Sequence, residues 1–444
     1  MSEANRSQTA GPASTGGHTT SWASIPRGKV VGLVAVCVVA VLAELPLSLT
    51  SIGEVGDPTV FISWMAAIDK GGLFAAYHDA AANYYPMAML VFETIAWLAR
   101  VMHIPLVFGN LQLRLLMRLP GTVAMLTTAA TGYLLGRRIA GGKWALACAM
   151  LLALNPALVY VTSWWDQVDA WYIALAAVGL VLLGNAPSRG SSMLALTGGV
   201  LLGSSIMVKP FAAVTLPLVF IYLLRSRPQA ILPAMIGGAA AALFSVLEIH
   251  RLHVSMSIFT GNLEMVIPLL TRHAFNLWWL VALYGVHPAS LATPDSIHWL
   301  VPMTAHALGT LLAITALMLF CGLVLIRTDE SSLYLSCALA SLATFLFVTR
   351  MHERYSLLPV ALLAFAAPGQ PRVLVAYLAA SLAVLVNLLS SSWALAPPLN
   401  SLNVGAADAS FLLLLALALT VELFWQQTHG QSPFDRSSPP AHPV

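Results

Sequence analysis

The 444 residues are 59% hydrophobic and 9% charged, with a mean hydropathy of +0.82, a balance that excludes a soluble globule and predicts an all-α polytopic membrane protein. The formal charge of +3 is spread over inter-helix loops rather than gathered in one stripe, which sets nucleic acid aside as a partner. Cys37, Cys148, Cys321 and Cys337 lie singly inside apolar runs, so neither a disulfide framework nor a zinc knuckle is indicated.

Residues 1–26 are rich in Ser, Thr, Gly and Ala without periodicity and read as a disordered cytoplasmic tail. Arg27 and Lys29 then precede an apolar run at 30–50 that is long enough to span and longer than a secretory h-region, which predicts an uncleaved signal anchor. Further spans are expected at 115–135, 144–162, 170–183, 193–208, 211–224, 230–249, 302–326, 332–349, 356–367, 373–389 and 409–425. With the anchor they make about twelve transmembrane helices in one membrane domain over 27–426, followed by a second cytoplasmic tail at 427–444. The joints that this parity places inside hold Arg137, Arg138, Lys143, Arg189, Arg225, Arg227, Arg327 and Arg372, as the positive-inside rule expects. Residues 86–102 are apolar enough to imitate a span, but counting them would invert every later loop. They are therefore read as a juxtamembrane or re-entrant helix on the outer side.

The first outer loop, 51–114, opens with Asp57-Pro58, which looks like an N-cap followed by proline at the first helical position. Phe61, Trp64, Met65 and Ile68 then recur at helical spacing until Gly71-Gly72, which predicts an amphipathic juxtamembrane helix along the interface. Asp57 suits the cap and suits chemistry, and the two roles are compatible. The next outer turn, Ser163 to Asp169, holds Trp165, Asp166, Gln167 and Asp169. Helix caps in a tryptophan belt would explain it, yet two acids and a glutamine beside hydrocarbon more often mark a polar cavity. Lys209-Pro210 closes another span, either snorkelling to the headgroups or meeting a phosphate.

Arg350, His352, Glu353, Arg354 and Tyr355 form the densest polar cluster. Arg350 and Arg354, four apart, share a face if the segment is helical and could grip phosphate bidentately; an ion-pair knot between helices is the alternative. The second large outer loop, 250–301, carries Arg251, Glu264, Arg272, Asn276, Trp278, Trp279 and the histidines His253, His273, His287 and His298 without zinc-binding spacing. These read as interfacial and substrate-lining residues.

All these clusters fall on the outer side, which predicts a cavity there that combines carboxylates, cations and aromatics. That set suits transfer of a sugar from a lipid phosphate. A hydroxyl acceptor needs a carboxylate to take its proton, whereas a polyprenyl phosphate leaves unprotonated and needs positive charge to meet it. Asp57 is the expected base, with Asp166 and Asp169 as the other candidates. Because protein cations can supply the charge, no obligatory cofactor or divalent metal is expected. A transporter or flippase of lipid-linked sugars is the competing reading. It favours internal repeats and midplane charges in broken helices, whereas the charges here lie at helix ends.

Gly56-Asp57-Pro58, Tyr84-Tyr85-Pro86, Leu119-Pro120, Asn155-Pro156 before Trp165-Asp166-Gln167-Val168-Asp169, Lys209-Pro210 and Met351-His352-Glu353-Arg354-Tyr355 resemble, in order, the GT-C glycosyltransferases. The likeness extends from about Val30 to Ala367 and is greatest to bacterial mannosyltransferases related to GPI mannosyltransferase II. It is more distant to the dolichyl-phosphate-glucose Asn-glycan glucosyltransferases. It implies an inverting hexosyltransferase, most simply a mannosyltransferase, that uses a polyprenyl-phosphate sugar as donor co-substrate and has Asp57 as catalytic aspartate. It also implies that the turn with Trp165 and Gln167 helps form the sugar or acceptor site, and that Lys209 and the segment His352 to Tyr355 approach the donor phosphate; Arg350 is read with them as a phosphate ligand, and Tyr85, Glu353 and Tyr355 as substrate-lining. The implied setting is a bacterial cytoplasmic membrane with both termini inside and the site facing the periplasm, the acceptor being a glycolipid, polysaccharide or protein hydroxyl. Two departures, Asp166 where these relatives typically have glycine and Tyr85-Pro86-Met87 in place of a double proline, leave sugar and acceptor open.

Overall fold

The computed structural model describes residues 27–50, 53–186, 192–259, 269–271, 273–284, 295–296, 298–300, 302–391 and 403–429. The predicted tail at 1–26, residues 430–444 of the tail predicted at 427–444, and Arg189, Glu264, Arg272 and His287 lie outside them. Apart from a two-stranded ribbon, His298–Leu300 with Met303–Thr304, the described secondary structure is helical. Five helices are long and apolar enough to cross a membrane, or six if one bent pair counts as a single span. The protein is therefore an all-α polytopic membrane protein. Several segments counted as spans from the sequence are shorter than a bilayer requires: 170–183 lies in a 17-residue helix and 356–367 corresponds to a ten-residue helix preceded by a 3-10 turn.

Helix α1 (Arg27–Ser48) keeps Val36, Ala40 and Glu44 buried at four-residue steps, while Val34, Val38, Val41 and Leu45 face outward as a lipid-facing surface does. Helix α2 (Gly56–His78) buries Phe61, Trp64, Met65 and Ile68, the stripe read from the sequence, and kinks at Gly71–Gly72, where Gly72 adopts a φ of 69°. The helix resumes past the kink. α3 (Pro86–Val101) is a 16-residue helix packed against α2. α4 (Leu111–Ala140) follows, capped by the Asn110 side chain, which accepts from Leu113 N at 2.9 Å.

α5 (Gly142–Ala153) and α6 (Pro156–Ser163) meet at 45°. Asn155 stabilises the bend by accepting from Ala157 N and Leu158 N and donating to the Tyr377 hydroxyl at 2.8 Å and the Ser381 hydroxyl at 2.9 Å. α7 (Asp169–Asn185), α8 (Ser192–Val208) and α9 (Leu216–Ser226) lead to α10 (Ile231–Arg251). α8 and α10 approach so closely that a methyl group on Gly199 would strike Ala234 O and one on Gly237 would strike Leu196 O. α11 (Leu277–Tyr284), α12 (Ala305–Ile326), α13 (Glu330–Phe347), α14 (Leu357–Ala366), α15 (Pro371–Ser391) and α16 (Asn403–His429) complete the bundle. α16 runs three residues into the stretch expected to be tail.

The bundle has two polar ends. At one, Glu330 pairs with Arg138 and, at 3.6 Å, with Arg227, while Arg227 also donates to Ala186 O. The joints expected to be cytoplasmic thus converge. α7 runs from Asp169 at the other end to Asn185 beside this knot, so the ends are about 26 Å apart at 1.5 Å per residue.

Candidate active site

Asp57 was expected to cap α2, but the cap position belongs to Val55, which makes no side-chain bond, and Asp57 sits inside the first turn with its carboxylate aimed across the site. Its Oδ2 accepts from Gln167 Nε2 at 2.6 Å, Arg354 Nη1 at 2.7 Å and Trp165 Nε1 at 3.1 Å. Among the described residues Oδ1 receives no donor, and the side chain is 37% exposed. One oxygen is therefore fixed by three donors from two distant segments, and the other is left to meet an incoming group.

Arg354, 10% exposed, lies between two acids, with Nε 3.3 Å from Glu353 Oε1, and packs 5.3 Å from the Trp165 ring. Burial pushes the Glu353 carboxyl up, but the His352 hydrogen bond and the Arg354 charge outweigh it and hold Glu353 at about 2. Glu353 is thus an ionised counter-charge at neutral pH, not a base. The 3-10 turn Glu353–Ser356 and the extended residue His352 place these side chains.

Asp169 opens α7 and is fully buried; Lys209 Nζ donates to its Oδ1 at 2.5 Å, while Oδ2 has no hydrogen-bond partner among the described residues. The ammonium lies 4.7 Å from the Tyr355 ring and 5.6 Å from the Tyr172 ring, and Tyr355 stacks on Phe211 at 5.2 Å. Lys209 is therefore not a snorkelling surface cation. Tyr84, which was not on the expected site, stands in the same field: burial pushes its phenol up, Arg354 opposes, and Asp57, Asp169 and Tyr355 add to the rise. Tyr85 stacks on Phe259 at 4.5 Å beside it.

The structure separates other expected members from this group. Asp166 does not reach the pocket; its side chain is wholly buried, 2.5 Å from Arg114 Nη2 and 2.7 Å from Arg118 Nε. Arg350 and Arg354 do not share a helix face, because the helix ends at Phe347 and Arg350 follows in a bend with a φ of 62°. Arg350 instead grips Asp295 through Nε at 2.6 Å and Nη2 at 3.3 Å, and Thr349 also donates to that carboxylate. Asp295 lies in a long loop with no local pattern to single it out.

Asn276 and Trp278, read as substrate-lining, are fully buried in the fold. Asn276 Nδ2 donates to Phe345 O and Val348 O at 3.2 and 3.3 Å, and Trp278 Nε1 donates to Phe347 O at 2.5 Å, together satisfying the carbonyls that end α13. Asn276→Ala is expected to lower stability by about 1–2 kcal/mol in a denaturant titration and to leave substrate KM values unchanged. A raised KM would return Asn276 to the substrate. His273 forms a backbone bridge with His352, so the outer loop braces the Arg354 segment.

Among the described residues no group of three or more His, Cys, Asp or Glu side chains is placed to hold a metal ion. No family model matches the chain, and no curated protein matches it. Among solved structures, ArnT from Cupriavidus metallidurans bound to undecaprenyl phosphate shares 15% identity, with 95% of this chain and 82% of that chain covered and a TM-score of 0.47. The apo state of the same protein shares 16% identity, with 91% and 78% covered and a TM-score of 0.47.

Proposed function

We propose that the protein is an inverting glycosyltransferase that moves a hexose, mannose in the first instance, from a polyprenyl-phosphate donor to a hydroxyl acceptor. The observation that carries this reading is the Asp57 carboxylate. It is the one site acid open to solvent, held by three donors on one oxygen, while Asp166, Asp169 and Glu353 are each sealed against cations. The order of motifs resembling the GT-C glycosyltransferases supports it independently.

In the proposed reaction Asp57 Oδ1 takes the proton of the acceptor hydroxyl as that oxygen forms a bond to the anomeric carbon. The bond from that carbon to the phosphate oxygen breaks on the opposite face, and the electron pair leaves with the polyprenyl phosphate, so the configuration inverts. Arg354, Lys209 and His352 lie where positive charge can meet the leaving phosphate. Trp165 and Tyr355 offer ring faces to the sugar. Arg350 supports this side by holding Asp295 and thereby the loop, rather than by touching the donor. The basic joints at the far end, Arg138 and Arg227, favour a site that opens to the periplasm of a bacterial cytoplasmic membrane, with both termini inside.

The test is to offer the purified protein in nanodiscs a panel of polyprenyl-phosphate sugars with glycolipid, polysaccharide and peptide acceptors. Transfer to one acceptor, or slow release of sugar to water, is expected with at least one donor. Movement of intact donor between leaflets of proteoliposomes, with neither transfer nor release, would replace this reading with transport of lipid-linked sugars.

A further inference from the structure

Asp166, Arg114 and Arg118 form a buried charge set that the proposed chemistry does not use. The two arginines are 1% and 2% exposed and the aspartate is fully enclosed. Removing such ions from water costs several kcal/mol each, and apolar residues of like volume commonly serve stability as well or better. Stability alone does not account for their presence.

Their geometry does. Arg118 Nη1 donates to Ser48 O, at the end of α1, and to Thr50 O at 3.0 Å, while Arg114 Nη2 donates to Trp164 O at 3.2 Å. Glu54 N donates to the same Trp164 carbonyl at 3.2 Å, three residues before Asp57, and the Glu54 side chain is buried. The chain that enters α2 and the turn after α6 are thus stitched to one pair of arginines. Gly53 is part of the fit, since a methyl group there would strike Arg114 Nη2 and Trp164 O.

Within the turn Asp166 takes the left-handed conformation, φ 59°, which aspartate tolerates better than most side chains. Its neighbours on either side, Trp165 and Gln167, both donate to Asp57 Oδ2, while Asp166 points the other way into the arginines. The turn behaves as a lever with a charged anchor: locking residue 166 inward aims 165 and 167 outward.

We infer that Asp166 is a positioning residue, which through Arg114 and Arg118 holds Trp165 and Gln167 on the Asp57 carboxylate. The consequence for turnover rests on Asp57 being the base; the consequence for Asp57's surroundings does not. Asp166→Asn keeps volume and tolerance of positive φ while deleting the charge, and Asp166→Gly frees the backbone as well. Both should lower kcat by roughly 10–100-fold, the scale of a misplacement of about 1 Å, a larger effect than any rise in KM from the displaced Trp165 ring.

The deciding experiment needs no substrate. Purified wild type, Asp166→Asn and the charge-balanced Asp166→Asn/Arg118→Gln variant are labelled with a water-soluble carbodiimide and an amine, and Asp57 is quantified by mass spectrometry against the exposed Asp69. Asp57 labelling is expected to rise severalfold in both variants, with Asp69 unchanged. Should Asp166→Asn fail to fold, the balanced variant carries the test. Unchanged Asp57 labelling in a folded variant overturns the inference and leaves Asp166 as a neutraliser of buried arginines. Raised labelling with undiminished sugar transfer would uphold the positioning role and instead remove Asp57 as base.

Discussion

Asp57→Asn is expected to cut sugar transfer by about 10²–10⁴-fold, the contribution of a placed general base, while the protein folds and inserts at the wild-type yield. The second half follows from the geometry. Asparagine keeps a carbonyl oxygen that can accept from Gln167, Arg354 and Trp165, so the three donors on Oδ2 are not stranded. Arg354 also retains Glu353 as its counter-charge. What asparagine lacks is the capacity to take a proton, which Oδ1 of the aspartate supplies. The informative control is Asp57→Glu, which retains the carboxylate but moves it by one methylene in a site framed on three sides. It should retain more activity than asparagine. Near-normal turnover in Asp57→Asn would exclude Asp57 as base, and Asp169 would be next in line because its Oδ2 has no hydrogen-bond partner among the described residues.

The groups that the sequence made legible are those with a reason to be conspicuous in a membrane. Asp57, the tryptophan turn, Lys209 and the His352 to Arg354 segment stand out because charge beside hydrocarbon is costly, and that cost gathers them at one end of the bundle. The amphipathic stripe of α2 and its glycine break were equally readable, since 3.6-residue periodicity and a left-handed glycine both leave marks in sequence. Arg114 and Arg118 were passed over because cations at the mouth of a predicted span look like ordinary helix-end charges. Only the fold shows that both turn inward to Asp166, and so takes Asp166 out of the pocket. Asn276 and Trp278 misled for a related reason: polar and aromatic residues in an outer loop suit either a ligand or the unsatisfied carbonyls at a helix end. The helical spacing of Arg350 and Arg354 failed because the helix stops at Phe347 and Arg350 takes a positive φ in the bend that follows, neither of which an arginine announces.

Lys209→Met is expected to have the largest effect on stability, because it leaves the buried Asp169 carboxylate without its hydrogen-bonded cation. Lys209 is 11% exposed and Asp169 not at all, and breaking a buried pair from one side costs about 3–5 kcal/mol. Asp169→Asn should be destabilising on the same scale, for it strands the ammonium between the Tyr172 and Tyr355 rings. The double variant Lys209→Met/Asp169→Asn removes both charges and should recover most of the loss in a denaturant titration, since the cost lies in the unpaired ion and not in the absent bond. Donor use separates from stability at that point. If the ammonium meets the departing phosphate, the double variant stays impaired in transfer, with the apparent affinity for the polyprenyl-phosphate donor at least about tenfold weaker, a difference of about 1.4 kcal/mol. If Lys209 serves only to neutralise Asp169, stability and donor use return together, and the positive charge at the phosphate must come from Arg354 and His352 alone.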